Sequence, residues 1–265
     1  KMLSIEEIQL LIEKLKKLKH EDFQQIIDVN LKILEELAET VDANNKEIID
    51  RLDKTPGWFY KDLEKKREKT NVDDLLYRMI QTKIFQFSKT HLYNCIEIGP
   101  GNGMFSKDLR AWRKIFFLDI HNLEEKIRRR FHPGHQKHLL FFTTKDHSCD
   151  NIPKESCNFI FSWDTFVFFT QEHIKNYLQS MKRTLIDGGY CFIQYANCHD
   201  DMDLNEAKRG YYNYNTKPAM EQMIKDAGYE VVEMNQFRSG ANYAIFRKPG
   251  KQNPVVYKVS QITLD

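Results

Sequence analysis

A short glycine-rich run holds the residues of the chain that are best suited to bind a ligand. Residues 95–103 read Cys-Ile-Glu-Ile-Gly-Pro-Gly-Asn-Gly, an apolar stretch that passes into alternating glycines. Glycine permits a tight turn and lets a ligand approach the backbone closely. A helix that starts after such a turn adds free N–H groups. Glu97 precedes the loop, and its carboxylate suits a cationic ligand better than a pyrophosphate.

The spacing of the glycines separates this loop from a dinucleotide site. A dinucleotide fingerprint requires the pattern Gly-x-Gly-x-x-Gly, which would place its third glycine at position 104. Met104 stands there, and the glycines are instead Gly99, Gly101 and Gly103. We therefore do not expect a nicotinamide nucleotide.

The loop lies in a region where apolar runs alternate with amphipathic stretches. Strands alternating with helices predict a mostly parallel sheet that is covered on both faces. The chain then ends in a helix over 217–227 and two strands, over 231–237 and 243–247, which predict an antiparallel hairpin added to the sheet. The expected earlier strands are 93–98, 115–119, 139–143, 158–162 and 190–195, and the expected helices between them are 104–112, 122–131 and 171–186.

The first 70 residues have a different pattern, which predicts a helical segment. Ser4 and Glu7 form a capping box before an apolar run. Farther on, apolar residues recur at roughly heptad spacing, which is typical of either a two-helix hairpin or a homodimer through a coiled coil. We therefore expect an N-terminal helical segment over 1–70 and a catalytic domain over 71–265.

Composition argues against several other classes of protein. The 40 Lys and Arg nearly balance the 38 Asp and Glu, so no nucleic-acid partner is expected. The five cysteines show no Cys-x-x-Cys spacing, which is typical of reduced thiols in a cytoplasmic protein. No apolar run approaches the roughly 20 residues that a membrane-spanning helix needs, and no signal peptide is visible. A cytoplasmic protein without membrane insertion is expected.

Four motifs in order resemble the class I S-adenosylmethionine-dependent methyltransferases over about residues 75–248. They are the glycine loop with Glu97, the run Phe-Phe-Leu-Asp that ends at Asp119, the strand over 158–162 and the Gly-Gly turn over 185–190. The resemblance implies an α/β fold, a Rossmann-like mostly parallel seven-stranded sheet with an antiparallel C-terminal hairpin. It also implies S-adenosylmethionine as the cofactor. Asn158 and Asp187 depart from the family's usual aspartate and proline.

The resemblance also assigns residues to the cofactor. In the family, the acid at Asp119 accepts hydrogen bonds from the ribose hydroxyls. The full set that the resemblance implies for cofactor binding is Glu97, Gly99, Pro100, Gly101, Gly103, Asp119, Ile120, Asp146 and Ser162.

A weaker resemblance concerns the acceptor. The stretch 162–169 together with 194–197 is similar to a bacterial subgroup that includes sugar O-methyltransferases. This similarity implies a carbohydrate or another small hydroxylated acceptor. The subgroup often has histidines where this chain has Phe168, Gln194 and Tyr195, so catalysis by histidine is not expected. N- or C-methylation, or a non-catalytic cofactor-binding scaffold, are the alternatives.

Two polar residues that follow the expected strands are the catalytic candidates. Ligands bind outside the carboxyl ends of strands in open α/β sheets, which places Asp164 and Asn197 near an acceptor. Asp164 could take the proton from a hydroxyl, or it could simply cap a helix. Asn197 could orient the acceptor, or it could be a turn residue. Tyrosines within 208–215 could stack on the acceptor, and ordinary packing is their alternative.

No metal is expected to take part in the reaction. The cluster of acids within 199–203 could hold Mg²⁺, but a solvated loop is the favoured interpretation. The histidines at 132, 135 and 138 are interrupted by Pro133-Gly134, which prevents the regular helical spacing that a zinc site on a helix would use.

Overall fold

The fold is known from a computed structural model, which describes residues 72–87 and 93–250. These residues all belong to one compact unit, while the expected N-terminal helical segment and its dimer lie outside them. The strands are β1 (Asn94–Ile98), β2 (Lys114–Asp119), β3 (Leu139–Thr143), β4 (Cys157–Ser162), β5 (Leu185–Gln194), β6 (Glu230–Gln236) and β7 (Asn242–Arg247). The helices are α1 (Asp74–Phe87), α2 (Glu124–Arg128), α3 (Gln171–Thr184), α4 (Asp201–Lys208) and α5 (Lys217–Asp226).

The seven strands form one sheet in the order β3-β2-β1-β4-β5-β7-β6. The pairs among β1 to β5 are parallel, and β7 runs antiparallel to both β5 and β6. The predicted mostly parallel sheet with an antiparallel C-terminal hairpin is therefore confirmed. The chain moves outward on one side of β1 to β2 and β3, and then returns to the other side at β4. Ligands in such sheets bind at this reversal, outside the carboxyl ends of the strands.

Alternating side chains of the central strands fill two apolar layers, one on each face of the sheet. In β1, Ile96 and Ile98 point into the layer that holds the buried residues of α3 and α5. Cys95 points to the opposite face, where Phe159 and the buried side of α1 pack. The helix expected over 171–186 is confirmed as α3, and its apolar residues Ile174, Leu178 and Met181 are fully buried.

Two predicted helices are much shorter than the sequence suggested. The helix expected over 104–112 is a 3₁₀ turn over Ser106–Leu109, because Ser106 and Asp108 are buried and hydrogen-bonded to groups on other elements. The helix expected over 122–131 is reduced to α2. The guanidinium of Arg128, the last residue of α2, donates to the carbonyl of Gln136 in the next turn.

The Gly-Gly turn does not separate α3 from the following strand. β5 begins at Leu185 directly after α3, so the two glycines lie inside the strand. Leu185 pairs with Cys157 and Tyr190 with Phe159, which leaves a bulge on β5 between the paired residues. Gly188 has φ +74° at this bulge, and its N–H donates to the carbonyl of Lys248.

The acidic stretch after β5 begins a helix, where a solvated loop was expected. The side chain of Asp200 accepts a hydrogen bond from the N–H of Met202 and caps α4. Asp203, one turn later, is 1% exposed. Its Oδ2 accepts hydrogen bonds from the N–H of Asn197 (2.7 Å) and from Nδ2 of Asn242 (3.0 Å). Burial is the main cause that raises the pKa of Asp203 to about 6.

Candidate active site

The glycine loop leaves the end of β1 at the centre of the sheet. Its three glycines all have positive φ, +66° at Gly99, +54° at Gly101 and +76° at Gly103. The N–H of Gly99 donates to the carbonyl of Leu118 at the end of β2 (2.8 Å). A Cβ at Gly99 would lie 2.1 Å from Oγ1 of Thr165. Position 99 therefore requires glycine, because any side chain would clash with Thr165 and would be strained at this positive φ.

A cleft of about 180 Å³ opens beside this loop, at the carboxyl ends of β2 and β3. Asp119 is at its edge, and its Oδ1 accepts a hydrogen bond from the N–H of His121 (3.0 Å). The cleft thus brings together Asp119 and Pro100, which the sequence had placed in one site. The lining residues are Pro100, Phe117, Asp119, His121, Asn122, Leu123, Glu124, Phe141, Phe142 and Thr143.

Asp146 is presented on the loop after β3. Its Oδ1 accepts hydrogen bonds from the hydroxyls of Thr144 and Ser148, both at 2.8 Å, and these bonds lower the pKa of Asp146. The N–H of Thr144 donates to the carbonyl of Asp119 (3.0 Å). This bond holds the loop that carries Asp146 against the end of β2. The carboxylate is exposed and stays ionised near neutral pH.

Glu97 lies inside the protein and does not line the cleft. Its side chain is 3% exposed, and Ser106 donates its hydroxyl to Oε2 at 2.6 Å. Burial raises the pKa of Glu97 to about 8, the bond from Ser106 opposes the shift, and Asp108 adds to it. The carboxyl group is thus covered by the protein, and its assignment to the cofactor stays a prediction. Because alternate strand residues face opposite sides of a sheet, Glu97 lies on the same face of the sheet as Cys95, the face on which α1 packs.

Asp108 links this buried carboxyl group to the helix that precedes β1. Its two carboxylate oxygens accept hydrogen bonds from Tyr77 (2.5 Å) and Gln81 (2.8 Å), both on α1. The 3₁₀ turn that carries Asp108 follows directly after the glycine loop. Helix α1 therefore supports the loop through polar contacts as well as through the apolar layer.

Ser162, which the resemblance assigned to the cofactor, is fully buried at the end of β4. Its hydroxyl donates to the carbonyl of Ile98, the last residue of β1, at 2.8 Å. This bond joins the two strands on either side of the point where the strand order reverses. In this position, the Ser162 side chain holds the end of β1 and has no surface to offer a ligand.

Asp164 stands two residues beyond β4 in a left-handed backbone conformation, with φ +56°. Its N–H donates to Oε1 of Gln194 at the end of β5 (2.6 Å). The amide of Gln194 in turn donates to the carbonyl of Gly240 (3.1 Å). A non-glycine residue at positive φ costs about 1–3 kcal/mol, and such residues cluster at functional sites. The side chain of Gln194 thus holds the backbone of Asp164 in place.

The side chain of Asn197 is hydrogen-bonded to two neighbouring elements of the fold. Its Oδ1 accepts a hydrogen bond from the N–H of Lys217 at the start of α5 (3.0 Å), and its Nδ2 donates to Asn242 on β7 (3.4 Å). These bonds match the alternative role of a turn residue. That Asn197 orients the acceptor stays a prediction.

Two further residues lie in this region: Tyr212, one of the tyrosines within 208–215 that were expected near the acceptor, and Thr165, to which the sequence assigned no role. Thr165 packs against Gly99, and its hydroxyl donates to the carbonyl of Trp163 (3.2 Å). Tyr212 lies close enough to Asp164 that its pKa is raised, mainly by burial and then by the charge of that carboxylate. The position of Thr165 in the sequence carries no signal of this contact, so only the three-dimensional arrangement identifies it.

The two candidate metal clusters have structural roles within the described parts of the chain. No group of three or more histidine, cysteine, aspartate or glutamate side chains is placed there to hold a metal ion. Asp200 caps a helix and also accepts from the hydroxyl of Ser239. The side chain of His132 accepts from the N–H of Gly134. That transfer needs no metal stays a prediction.

Within residues 72–87 and 93–250, no helix is long and apolar enough to cross a membrane.

Several solved structures with a similar fold are methyltransferases at low sequence identity. An S-adenosylmethionine-dependent methyltransferase from Methanosarcina mazei is 13% identical with a TM-score of 0.51, and the match covers 63% of this chain and 98% of that one. The N-methyltransferase NodS from Bradyrhizobium japonicum is 16% identical (TM-score 0.51; 68% and 100%). Human N-acetylserotonin methyltransferase, solved with S-adenosylmethionine, is 14% identical (TM-score 0.51), and the match covers 66% of this chain and 52% of that one.

Sequence comparison gives the family. A search of curated proteins finds no match. A family model described as a methyltransferase domain matches residues 29–234, which is most of the chain. The glycine loop, the acid at the end of β2 and the strand order agree with that match. The chain therefore belongs to this methyltransferase family and is an S-adenosylmethionine-dependent methyltransferase.

Proposed function

We propose that the enzyme transfers a methyl group to a hydroxyl oxygen of a small acceptor, such as a sugar, and that Asp164 accepts the proton of that hydroxyl. The observation that carries the proposal is the left-handed conformation of Asp164 at the end of β4. The strand order reverses beside this point, so Asp164 stands where an acceptor can meet the cofactor. Its backbone is fixed by the side chain of Gln194.

The residues of the cleft fit S-adenosylmethionine, which supplies an activated methyl group on a sulfonium. We assign Asp119 to the ribose hydroxyls, because its carboxylate lies at the edge of the cleft. The glycine loop, with Pro100 and Ile120 beside it, would approach the rest of the molecule through the backbone. Asp146 would contribute a charged acceptor beyond β3. Glu97 and Ser162 would support the loop from inside the sheet.

For this reaction, the protein needs to align the acceptor oxygen with the methyl group and to accept the proton of the hydroxyl. The acceptor oxygen forms the new C–O bond as the C–S bond breaks, and its proton passes to the Asp164 carboxylate. Alignment alone can contribute about 7–11 kcal/mol. A positioned base adds about 10²–10⁴-fold in rate. No histidine stands in the subgroup's positions at Phe168 and Gln194, which supports an acid in this role.

The test replaces the charge of Asp164 and keeps its shape. For Asp164→Asn, we expect kcat to fall by about 10²–10⁴, with S-adenosylhomocysteine affinity unchanged in calorimetry. Asp226→Asn, at the exposed end of α5, is the matched control and should behave like the wild type. Normal turnover in Asp164→Asn would return this residue to a capping role. Lost cofactor affinity would show that it serves the cofactor instead.

The setting of the enzyme is also a proposal. All five cysteines are free and buried, which supports the reducing conditions of the cytoplasm. Two further predictions remain untested. One is that the enzyme has no nucleic-acid partner, and the other is that it forms a homodimer through its N-terminal helices. If amines rather than hydroxyl compounds accept the methyl group, N-methylation replaces the proposed reaction.

A further inference from the structure

Residues 237–241, here called the β6–β7 turn, are fastened to the start of α4. The carboxylate of Asp200, the N-cap of that helix, accepts hydrogen bonds from the hydroxyl of Ser239 and from the N–H of Gly240 (3.2 Å). Gly240 has φ +74°, and a Cβ there would lie 2.5 Å from Sδ of Met202 on α4. The β6–β7 turn is therefore held on α4 by hydrogen bonds and by close packing.

Helix α4 gives this turn a fixed base, because Asp203 ties the helix to the sheet. The Asp203 side chain is buried, and its Oδ2 accepts hydrogen bonds from Asn197, just beyond β5, and from Asn242 on β7. The start of α4 therefore has a defined position relative to the end of β5.

One side chain connects the β6–β7 turn to the segment after β4. Gln194, the last residue of β5, is 4% exposed and uses both ends of its amide. Its Nε2 donates to the carbonyl of Gly240 (3.1 Å), and its Oε1 accepts the N–H of Asp164 (2.6 Å). Because an amide has one donor end and one acceptor end, the bond to Gly240 turns the oxygen toward Asp164. The ring of Phe237 also packs on Trp163, with the ring centroids 6.0 Å apart.

We propose that Asp200 is a positioning residue for methyl transfer, because it fixes the backbone of Asp164 through Gly240 and Gln194. Asp164 has φ +56°, and a strained conformation of this kind persists only when the surrounding structure holds it. A displacement of about 1 Å at a reacting group can cost roughly 10²-fold in rate. The effect on catalysis rests on the proposed function, which makes Asp164 the proton acceptor.

Two variants separate this role from the capping of a helix. Asp200→Ser keeps an oxygen that can cap α4, but its shorter side chain cannot hold the β6–β7 turn. Thr216→Ala is the matched control, because it removes the N-cap of α5 and leaves the contacts of the β6–β7 turn in place. A loss of stability alone would therefore appear in the control as well.

Hydrogen–deuterium exchange of the Asp164 amide, followed by NMR, reports its bond to Gln194 directly and needs no acceptor. We expect this amide to exchange about tenfold faster in Asp200→Ser than in the wild type, and at the wild-type rate in Thr216→Ala. Gln194→Met removes both amide bonds and should have at least the same effect. Adding Asp200→Ser to Gln194→Met should change the rate by less than about twofold, because the two residues act through one chain of bonds.

Turnover is the second measurement, with catechol and methyl α-D-glucopyranoside as acceptors. Asp200→Ser should lower kcat about tenfold for the acceptor that is methylated, and the KM for S-adenosylmethionine should stay the same. In the Asp164→Asn background, Asp200→Ser should cause no further loss of kcat, because the group that it positions is then inactive.

The outcomes separate this proposal from the one on which it rests. Exchange of the Asp164 amide at the wild-type rate in Asp200→Ser would overturn the positioning role, and so would faster exchange with an unchanged kcat. An equal increase in Thr216→Ala would reduce Asp200 to a helix cap. Normal turnover in Asp164→Asn, with faster exchange in Asp200→Ser, would overturn the proposed function and leave the chain of hydrogen bonds standing.

Discussion

At the scale of single residues, two acids next to the glycine loop have opposite environments. Asp119 lies at the edge of the cleft and accepts a backbone N–H. Glu97 lies inside the sheet and accepts one hydroxyl. A charged acceptor at the surface can meet a ligand, while a buried carboxyl group is stable only when it is protonated or well paired. The same chemical group is thus suited to binding a ligand in one place and to supporting the fold in the other.

The role of Asp119 gives a prediction about cofactor affinity. Asp119→Ala removes a charged acceptor from the ribose hydroxyls, and a hydrogen bond to a charged group contributes about 1.5–3 kcal/mol. We expect S-adenosylhomocysteine to bind roughly tenfold to a hundredfold more weakly in calorimetry. Asp119→Asn should lose less, because it retains an acceptor for the N–H of His121. Unchanged affinity in Asp119→Ala would remove this residue from the ribose site.

The burial of Glu97 gives a prediction about stability and pH. The folded protein keeps the proton on Glu97 up to about pH 8, while the unfolded chain loses it near the ordinary glutamate pKa of 4.5. The folded state therefore binds more protons between these values, and the free energy of unfolding falls as the pH rises through that window. Each pKa unit corresponds to about 1.4 kcal/mol. Glu97→Gln cannot ionise, so it should be more stable than the wild type at pH 8.5.

Urea unfolding at pH 5 and pH 8.5 measures this difference. The advantage of Glu97→Gln over the wild type should grow between the two pH values. Glu221→Gln is the control, because Glu221 is bonded to Lys225 at the surface and its pKa is lowered. A pH-independent difference between wild type and Glu97→Gln would mean that Glu97 is ionised in the folded protein.

Only part of the site could be predicted at this scale. The spacing of the glycines and the acid at the end of an apolar strand were enough to find the loop and Asp119. The hydrogen bonds of Ser162 and Asn197 could not be predicted, because their partners are Ile98 and Lys217. Such contacts between polar side chains and distant backbone groups leave no periodic pattern in the sequence.

At the scale of elements, the strands were easier to predict than the helices. A buried parallel strand is a continuous apolar run, and the run over 139–143 coincides with β3. The regions expected to form helices over 104–112 and 122–131 hold apolar residues that pack on the sheet, but their polar residues bind other elements. Local pattern alone cannot distinguish such a short turn from a full helix.

The contact between the loop after β1 and the turn after β4 gives a prediction at this scale. Gly99→Ala places a methyl group 2.1 Å from Oγ1 of Thr165 at a φ of +66°. Gly210→Ala has a similar φ of +75° but nothing within 4 Å, so it isolates the cost of the backbone conformation. That cost is about 1–2 kcal/mol. We expect Gly99→Ala to lose more stability than Gly210→Ala and to bind S-adenosylhomocysteine poorly.

A double variant identifies the cause of the loss. Thr165→Ala removes two of the three side-chain atoms that crowd position 99. Thermal unfolding should show that Gly99→Ala is less harmful in the Thr165→Ala background than in the wild type. If Gly99→Ala lowers the stability equally in both backgrounds, the side chain of Thr165 does not crowd position 99. A Gly99→Ala protein as stable as Gly210→Ala would lead to the same conclusion.

At the scale of the whole molecule, the order of strands brings the working parts together. β1, β2, β4 and β5 are neighbours with their carboxyl ends at one edge. That edge carries the glycine loop, Asp119 and Asp164. The alternation of strands and helices in the sequence predicted a mostly parallel sheet, but it did not predict the order of the strands. The tyrosines within 208–215 were expected near the acceptor, but the hydrogen bonds from Asn213 to the carbonyls of Val167 and Phe168 were not predicted.

The central claim is that the methyl group is transferred to an oxygen atom. The most direct test supplies S-adenosylmethionine with a ¹³C-labelled methyl group, together with hydroxyl and amine acceptors in one mixture. The chemical shift of the labelled carbon in the product then reports the atom to which it is bonded. We expect a methyl ether in the wild type and a loss of that product in Asp164→Asn. A label bonded only to nitrogen or carbon would contradict the claim.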